Sequence, residues 1–167
     1  MNIECNSDLA LLALRISVGY VFLFAAWKNT QNEAARKATI FDTSLLFQNL
    51  QVSDRMRISK LCAIIGMIMM YLGGISVLLG LEPRIGGILI AVFSALGMRI
   101  HAIKADEAKQ AGESGNLMGW SGYSGHSAAE VKNWGFIGAG IFFLLGGVGD
   151  YGFGIDYLGQ WLAPTGR

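Results

Sequence analysis

The sequence predicts an all-α bundle of four membrane-spanning helices, and three observations support that fold class. Leu61 to Leu81 is 21 residues without a formal charge, which at about 1.5 Å per residue covers the ~30 Å hydrocarbon core of a bilayer. A second apolar run, Ile85 to Ile103, follows after only Glu82-Pro83-Arg84. Pro83 cannot continue a helix and biases Glu82 away from the α region, so the two runs make a tight antiparallel hairpin. The chain as a whole is 53% hydrophobic and 15% charged, too apolar for a typical soluble domain, and reads as one membrane domain over residues 1–167.

The first span is expected over Leu9 to Trp27, with Asp8 at a helix start, where an acidic side chain suits the dipole. Trp27 and Lys28 close it as an interfacial anchor. Glu4 and Asp8, with no basic stretch before the apolar run, do not resemble a cleaved signal peptide, so this segment is expected to be retained as a helix. Thr30-Gln31-Asn32-Glu33 fits a capping box and predicts a short helix beginning in EAARKATIF. SLLFQNL, next in order, is apolar enough to lie on the membrane surface, so an interfacial helix is expected between spans one and two; a solvated loop over 29–54 is the alternative. Ser53-Asp54 caps the approach to span two, with Arg55, Arg57 and Lys60 at headgroup level.

Arg99, His101 and Lys104 fall in the last two turns of the third span, where long basic side chains snorkel to the interface. Residues 112–127 hold nine Gly or Ser in sixteen positions and predict a flexible loop. Val131 to Val148 is the fourth span, followed by an aromatic and glycine-rich tail suited to the interface. Trp27 and Trp134 then mark one surface, and Tyr151, Tyr157 and Trp161 the other. Of thirteen Lys and Arg, nine lie in the loops after spans one and three. The positive-inside rule therefore makes those loops cytoplasmic and both termini external. Gly73-Gly74, Gly86-Gly87, Ala91 with Ala95, and Gly135 with Ala139 are expected to let helices approach closely.

Chemistry is sparser. Arg15 lies two turns into a span, where an unpartnered guanidinium costs several kcal/mol, so it is expected to face the bundle interior. Arg15, Gly19, Phe22 and Ala26 share one helical stripe. The topology offers Asp8, Glu82, Asp150 and Asp156 as partners, making either a structural ion pair or a polar pocket. As a pocket for a quinone headgroup or small anion, the candidate set is Arg15, Tyr71, Glu82, Asp150 and Tyr151. A second cluster at the opposite surface, Lys28, Arg99, His101, Lys104 and Lys132 with Trp27 and Asn133, suits lipid or anion contact, and His101 can exchange protons near neutral pH. Cys5 and Cys62 make no metal framework, and no flavin, iron–sulfur or phosphate-loop motif occurs. His101 and His126, the two histidines, give poor support for a bis-histidine haem. The net charge of +1 gives no reason to expect nucleic acid.

LALRISVGYVFLFAAWKNT resembles the opening helix of DoxX-like membrane proteins, with Arg15, Gly19, Phe22 and Lys28 at matching positions. LGGISVLLGLEPRIGGILIAVFSALGMRIHAI is similar to that family's second and third helices joined by a short arginine-containing turn. VKNWGFIGAGIFFLLGGVGDYGFGID is similar to its last helix and the glycine- and aromatic-rich segment ending at Asp156. The sequence departs from the family in one place: Met70-Tyr71-Leu72 stands before Gly73-Gly74, where many members carry an acid. The resemblance implies a four-helix inner-membrane protein, an accessory or quinone-contacting subunit of a membrane redox assembly, with quinone as its one expected cofactor and none intrinsic. Its expected partners are membrane lipids and other subunits of a complex or further copies of this chain. A thiosulfate:quinone oxidoreductase-type enzyme subunit is one alternative, and a small transporter or lipid-binding protein the other. The residues themselves assign no reaction to the isolated chain.

Overall fold

The central hairpin turns where the proline requires it. In the computed structural model, which describes residues 3–145 and side chains from residue 9 onward, helix α3 (Val52–Leu79) ends at Gly80 in the left-handed region, φ 70°. Helix α4 (Pro83–Glu113) begins after Glu82, which also takes a left-handed conformation, φ 46°. Pro83 is its first helical residue, where the missing N–H has no partner to lose. The hydroxyl of Ser76 lies 2.5 Å and 2.9 Å from the carbonyls of Leu81 and Glu82 and holds the turn against α3. The break is therefore Gly80 to Glu82, two residues earlier than expected.

Both arms outrun the apolar windows that announced them. α3 starts at Val52 with Gln51 as its N-cap, so Ser53 and Asp54 lie inside it, and α4 continues ten residues past Ile103. The flanking Arg55, Arg57, Lys60, Glu107 and Lys109 are sound helix formers that end a hydrophobic run without ending a helix. The predicted flexible loop over 112–127 is corrected more sharply. Only Ser114 to Asn116 turn, with Gly115 at φ 96°, and helix α5 (Leu117–Leu144) follows at once, capped by the Asn116 side chain accepting from Met118 N–H at 3.0 Å. Glycine here serves contact. A Cβ on Gly119 would collide with the backbone at Gly112, and one on Gly112 would lie 2.9 Å from the Trp120 ring. The composition that reads as mobility is what allows two helices to run backbone to backbone.

Helix α1 (Ile3–Thr30) packs on α3, α3 on α4, and α4 along α5. Val18, Phe22, Met70, Val77, Ile90 and Phe143 form the core, and Phe22 meets Phe93 and Phe136 edge to face at 6.0 Å and 5.2 Å. Gly19 and Gly74 face one another between α1 and α3, and Gly87 opposes Gly140 between α4 and α5, where a Cβ on Gly140 would stand 2.6 Å from the Gly87 carbonyl. Gly135, expected at a helix contact, has open space beside it, and Gly140 takes that role.

Helix α2 (Glu33–Ser44) and a 3-10 turn (Leu45–Phe47) form the segment between α1 and α3, so a helix stands there and not a solvated loop. Its cap differs: Thr30 belongs to α1, and Asn32 caps α2 by accepting from Ala35 N–H at 2.7 Å. Asn32→Ala is expected to cost about 1 kcal/mol of helix stability, visible as faster amide exchange confined to the first turn of α2; unchanged exchange there would refute the cap.

All described residues are helical or in short turns, with no strand among them. Three helices are long and apolar enough to cross a bilayer: Leu9–Thr30 of α1, α3 and α4. Their outward side chains agree, with Ile68, Leu72 and Ile75 of α3 each more than 40% exposed, a surface that hydrocarbon rather than water would cover. α5 contains the start of the fourth expected span at Val131; the end of that span at Val148 lies outside the described residues.

Candidate functional site

Among the described residues the helices form a half-open cavity of about 440 Å³, at the end where α1 finishes and α3 begins. Its body is apolar: Phe22 from α1, Met67 and Met70 from α3, Phe93 from α4 and Phe136 from α5. Glycine supplies the room. Gly66 and Gly97 line the wall without side chains, and a Cβ on Gly66 would make ordinary 3.4 Å contact with the Phe93 ring. Its mouth is polar, formed by Asn29, Thr39, Asp42, His101, Lys132 and Asn133. An apolar chamber with a few polar groups gathered at one end is the usual form of a small-molecule site.

Helix α2 and the 3-10 turn lie over that mouth as a lid, contributing Thr39, Asp42, Thr43, Leu46 and Phe47 to the lining. Several bonds fix the lid. The hydroxyls of Thr30 and Tyr71 meet at 2.8 Å just before it, and Arg36 Nη1 donates to the Thr30 carbonyl at 2.9 Å. Asp42 pairs with Lys104 Nζ at 2.6 Å, with the two side chains 35% and 24% exposed. Of the three described ion pairs, the other two lie within α2 and within α4, so this one ties the lid to the bundle. A partly exposed pair is worth about 1 kcal/mol. Asp42→Asn should raise amide exchange over Glu33–Ser44 several-fold and leave α1 unchanged. No difference between variant and parent would remove the pair from any role in holding the lid.

His101 has a neighbour that sequence spacing does not show. Its Nδ1 lies 3.3 Å from Nδ1 of His126 on α5, so one ring donates the hydrogen and the other accepts it. Sequence separation hid this contact because residues 112–127 read as a loop. A continuous helix brings position 126 back beside 101.

The two candidate sets fare differently. Arg15 is buried to 1% exposure, as expected, and its Nε donates to the Val77 carbonyl at 3.0 Å while Nη2 lies 3.4 Å from that of Leu78. These are among the last carbonyls of α3, so the guanidinium caps that helix across the interface, at the negative end of its dipole. Gly19, one turn on, is filled by Leu78. Arg15 does not line the cavity described above. Glu82, offered as a partner, is exposed, and Asp8, Asp150, Tyr151 and Asp156 lie outside the described side chains. Tyr71 does not join Arg15 either: its hydroxyl meets Thr30, fifteen residues and about 22 Å along α1 from Arg15.

From the second set, His101 and Lys132 line the cavity and Lys104 holds the lid. Lys28 Nζ sits 5.4 Å from the Phe24 ring, and Arg99 lines a separate small groove. The Phe93 and Met70 wall carries no sequence signal, since an aromatic or methionine at helical spacing reads first as core, and Phe22, expected on the Arg15 stripe, lines the cavity as well. No group of three or more potential metal ligands occurs among the described residues. No protein-family model, curated protein or solved structure matches the chain.

Proposed function

We propose that this chain is an integral membrane subunit of a redox-type assembly, of DoxX-like character, and that it holds a quinone-class amphiphile in the cavity beneath α2. The observation that carries this reading is the cavity itself: an apolar, aromatic-lined chamber of about 440 Å³ whose polar groups gather at one end. A quinone has the complementary division, with a flat ring bearing two carbonyl acceptors and an apolar tail. Donors are available for the carbonyls, since Asn29, Asn133 and Lys132 carry N–H groups at the mouth. Phe22, Phe93 and Phe136 provide faces and edges for the ring. The proposed topology has four spans, α5 with its continuation being the fourth. The basic loops and the lid are then cytoplasmic and both termini external, in a bacterial-type inner membrane.

In this reading the site is displaced from the Arg15 end of the bundle to the His101 end, and Arg15 is structural. The chain binds and positions its ligand, and the protein partners of the assembly, or further copies of the chain, supply the remaining chemistry. The test is purification of the full chain in mild detergent, extraction and mass analysis of the retained lipids, and titration with a short-tailed ubiquinone and menaquinone. Retained quinone and saturable binding support the reading. A chain that carries phospholipid alone and ignores both quinones is a lipid-binding protein instead. Thiosulfate-dependent quinone reduction by the purified chain would make it an enzyme in its own right.

A further inference from the structure

We propose a second, separate site: a groove on the outer face of α4 that seats an anionic phospholipid with its phosphate on Arg99. It rests on α1, α3 and α4 lying in a bilayer and is independent of the quinone reading. Ile85, Ile88, Val92 and Leu96 form a single outward stripe on α4, at spacings of three, four and four residues, each between 45% and 55% exposed. The next position on that stripe is Arg99, also exposed. An acyl-chain track thus ends in a guanidinium.

The groove at that point, about 230 Å³, is completed by Leu45, Leu46, Gln48 and Asn49 from the segment after α2, with Ile103 above. Among the described residues Arg99 makes no hydrogen bond or ion pair, and no carboxylate lines the groove. Lys104 lies five residues further on, about 7 Å nearer the end of the span, and is already satisfied by Asp42. Arg99 is therefore an unneutralised cation at the end of a hydrocarbon-facing stripe, where its side chain reaches headgroup level and attracts an anion. A phosphodiester meets the need. The guanidinium fork takes two of its oxygens, and the Gln48 and Asn49 amides add donors at the same level. The apolar stripe favours a lipid over a free anion, and the absence of carboxylates favours a headgroup with no ammonium to neutralise. Leu46 lines both this groove and the cavity, so the lipid would rest against the lid from outside.

The test uses the full chain in detergent, titrated with phosphatidylglycerol, phosphatidylcholine and inorganic phosphate, with bound lipid counted by native mass spectrometry. Phosphatidylglycerol is expected to bind more tightly than phosphatidylcholine. Arg99→Leu should weaken phosphatidylglycerol at least tenfold, and Arg99→Lys should restore only part, since a point charge cannot replace the fork. If Arg99→Leu does not fold, the Gln48→Ala, Asn49→Ala pair, which leaves the helices intact, should still weaken phosphatidylglycerol several-fold. Equal affinity in parent and variants, or equal affinity for the two lipids, would overturn the proposal. So would an equal loss from Lys37→Gln, an exposed cation on α2, which would show general charge attraction. Inorganic phosphate displacing the lipid at low millimolar concentration would make the groove a free-anion site instead.

Discussion

Replacing Arg15 by leucine should cost roughly 3 kcal/mol of stability, lowering the thermal midpoint by about 10 °C for a chain of this size. The charge carries a desolvation cost, and removing it recovers that part. The carbonyls of Val77 and Leu78 remain, however, at the closed end of α3, and an isobutyl group gives them no donor. Leucine is also shorter, so the space beside Gly19 and Leu78 loses packing as well. Arg15→Lys keeps a donor but not the fork and should recover less than half of the loss. Quinone binding by the folded fraction of Arg15→Leu should match the parent. A variant as stable as the parent would end the capping role, and a stable variant that had lost quinone would return the site to the Arg15 end of the bundle.

Gly66→Leu should do the reverse, lowering affinity for a short-tailed quinone at least tenfold while leaving the thermal midpoint unchanged or higher. Gly66 sits in the middle of α3 on the cavity wall. Its Cβ fits against Phe93 at 3.4 Å, and the rest of a leucine side chain has only the chamber to occupy. Glycine within a helix is about 0.8 kcal/mol less favourable than a good helix former, so the substitution stabilises the backbone as it fills the space. Tight binding that survived this change would show that the ligand lies elsewhere.

How legible these features were depended on the range of the interaction behind them. Three apolar helices long enough to cross a bilayer, the turn before Pro83 and the helix at Glu33 follow from periodicity and local backbone chemistry, and they were legible. The inward position of Arg15 was legible too, because a charge within an apolar run has few places to go. Its bonds to the Val77 and Leu78 carbonyls were not, because backbone carbonyls carry no sequence signature. The loop predicted over 112–127 failed for a related reason, since glycine lowers helix propensity locally and only a facing helix, here Gly112 against Gly119, reveals the gain in close packing. The cavity was hidden because it consists of absent side chains at Gly66 and Gly97 and of ordinary core residues around them.

The unbroken course of α4 from Pro83 to Glu113 has a mechanical meaning. Beyond Lys104 the α4–α5 pair is a rigid arm, roughly 15 Å long, carrying Leu117, Met118 and Trp120 at or near its tip. Its azimuth about the bundle is fixed by the same helical phase that points Gly97 and His101 into the cavity. One residue inserted into each helix of the arm would raise the tip by about 1.5 Å and swing it by about 100°. Helical phase alone therefore sets the height and the direction in which the tip presents those side chains.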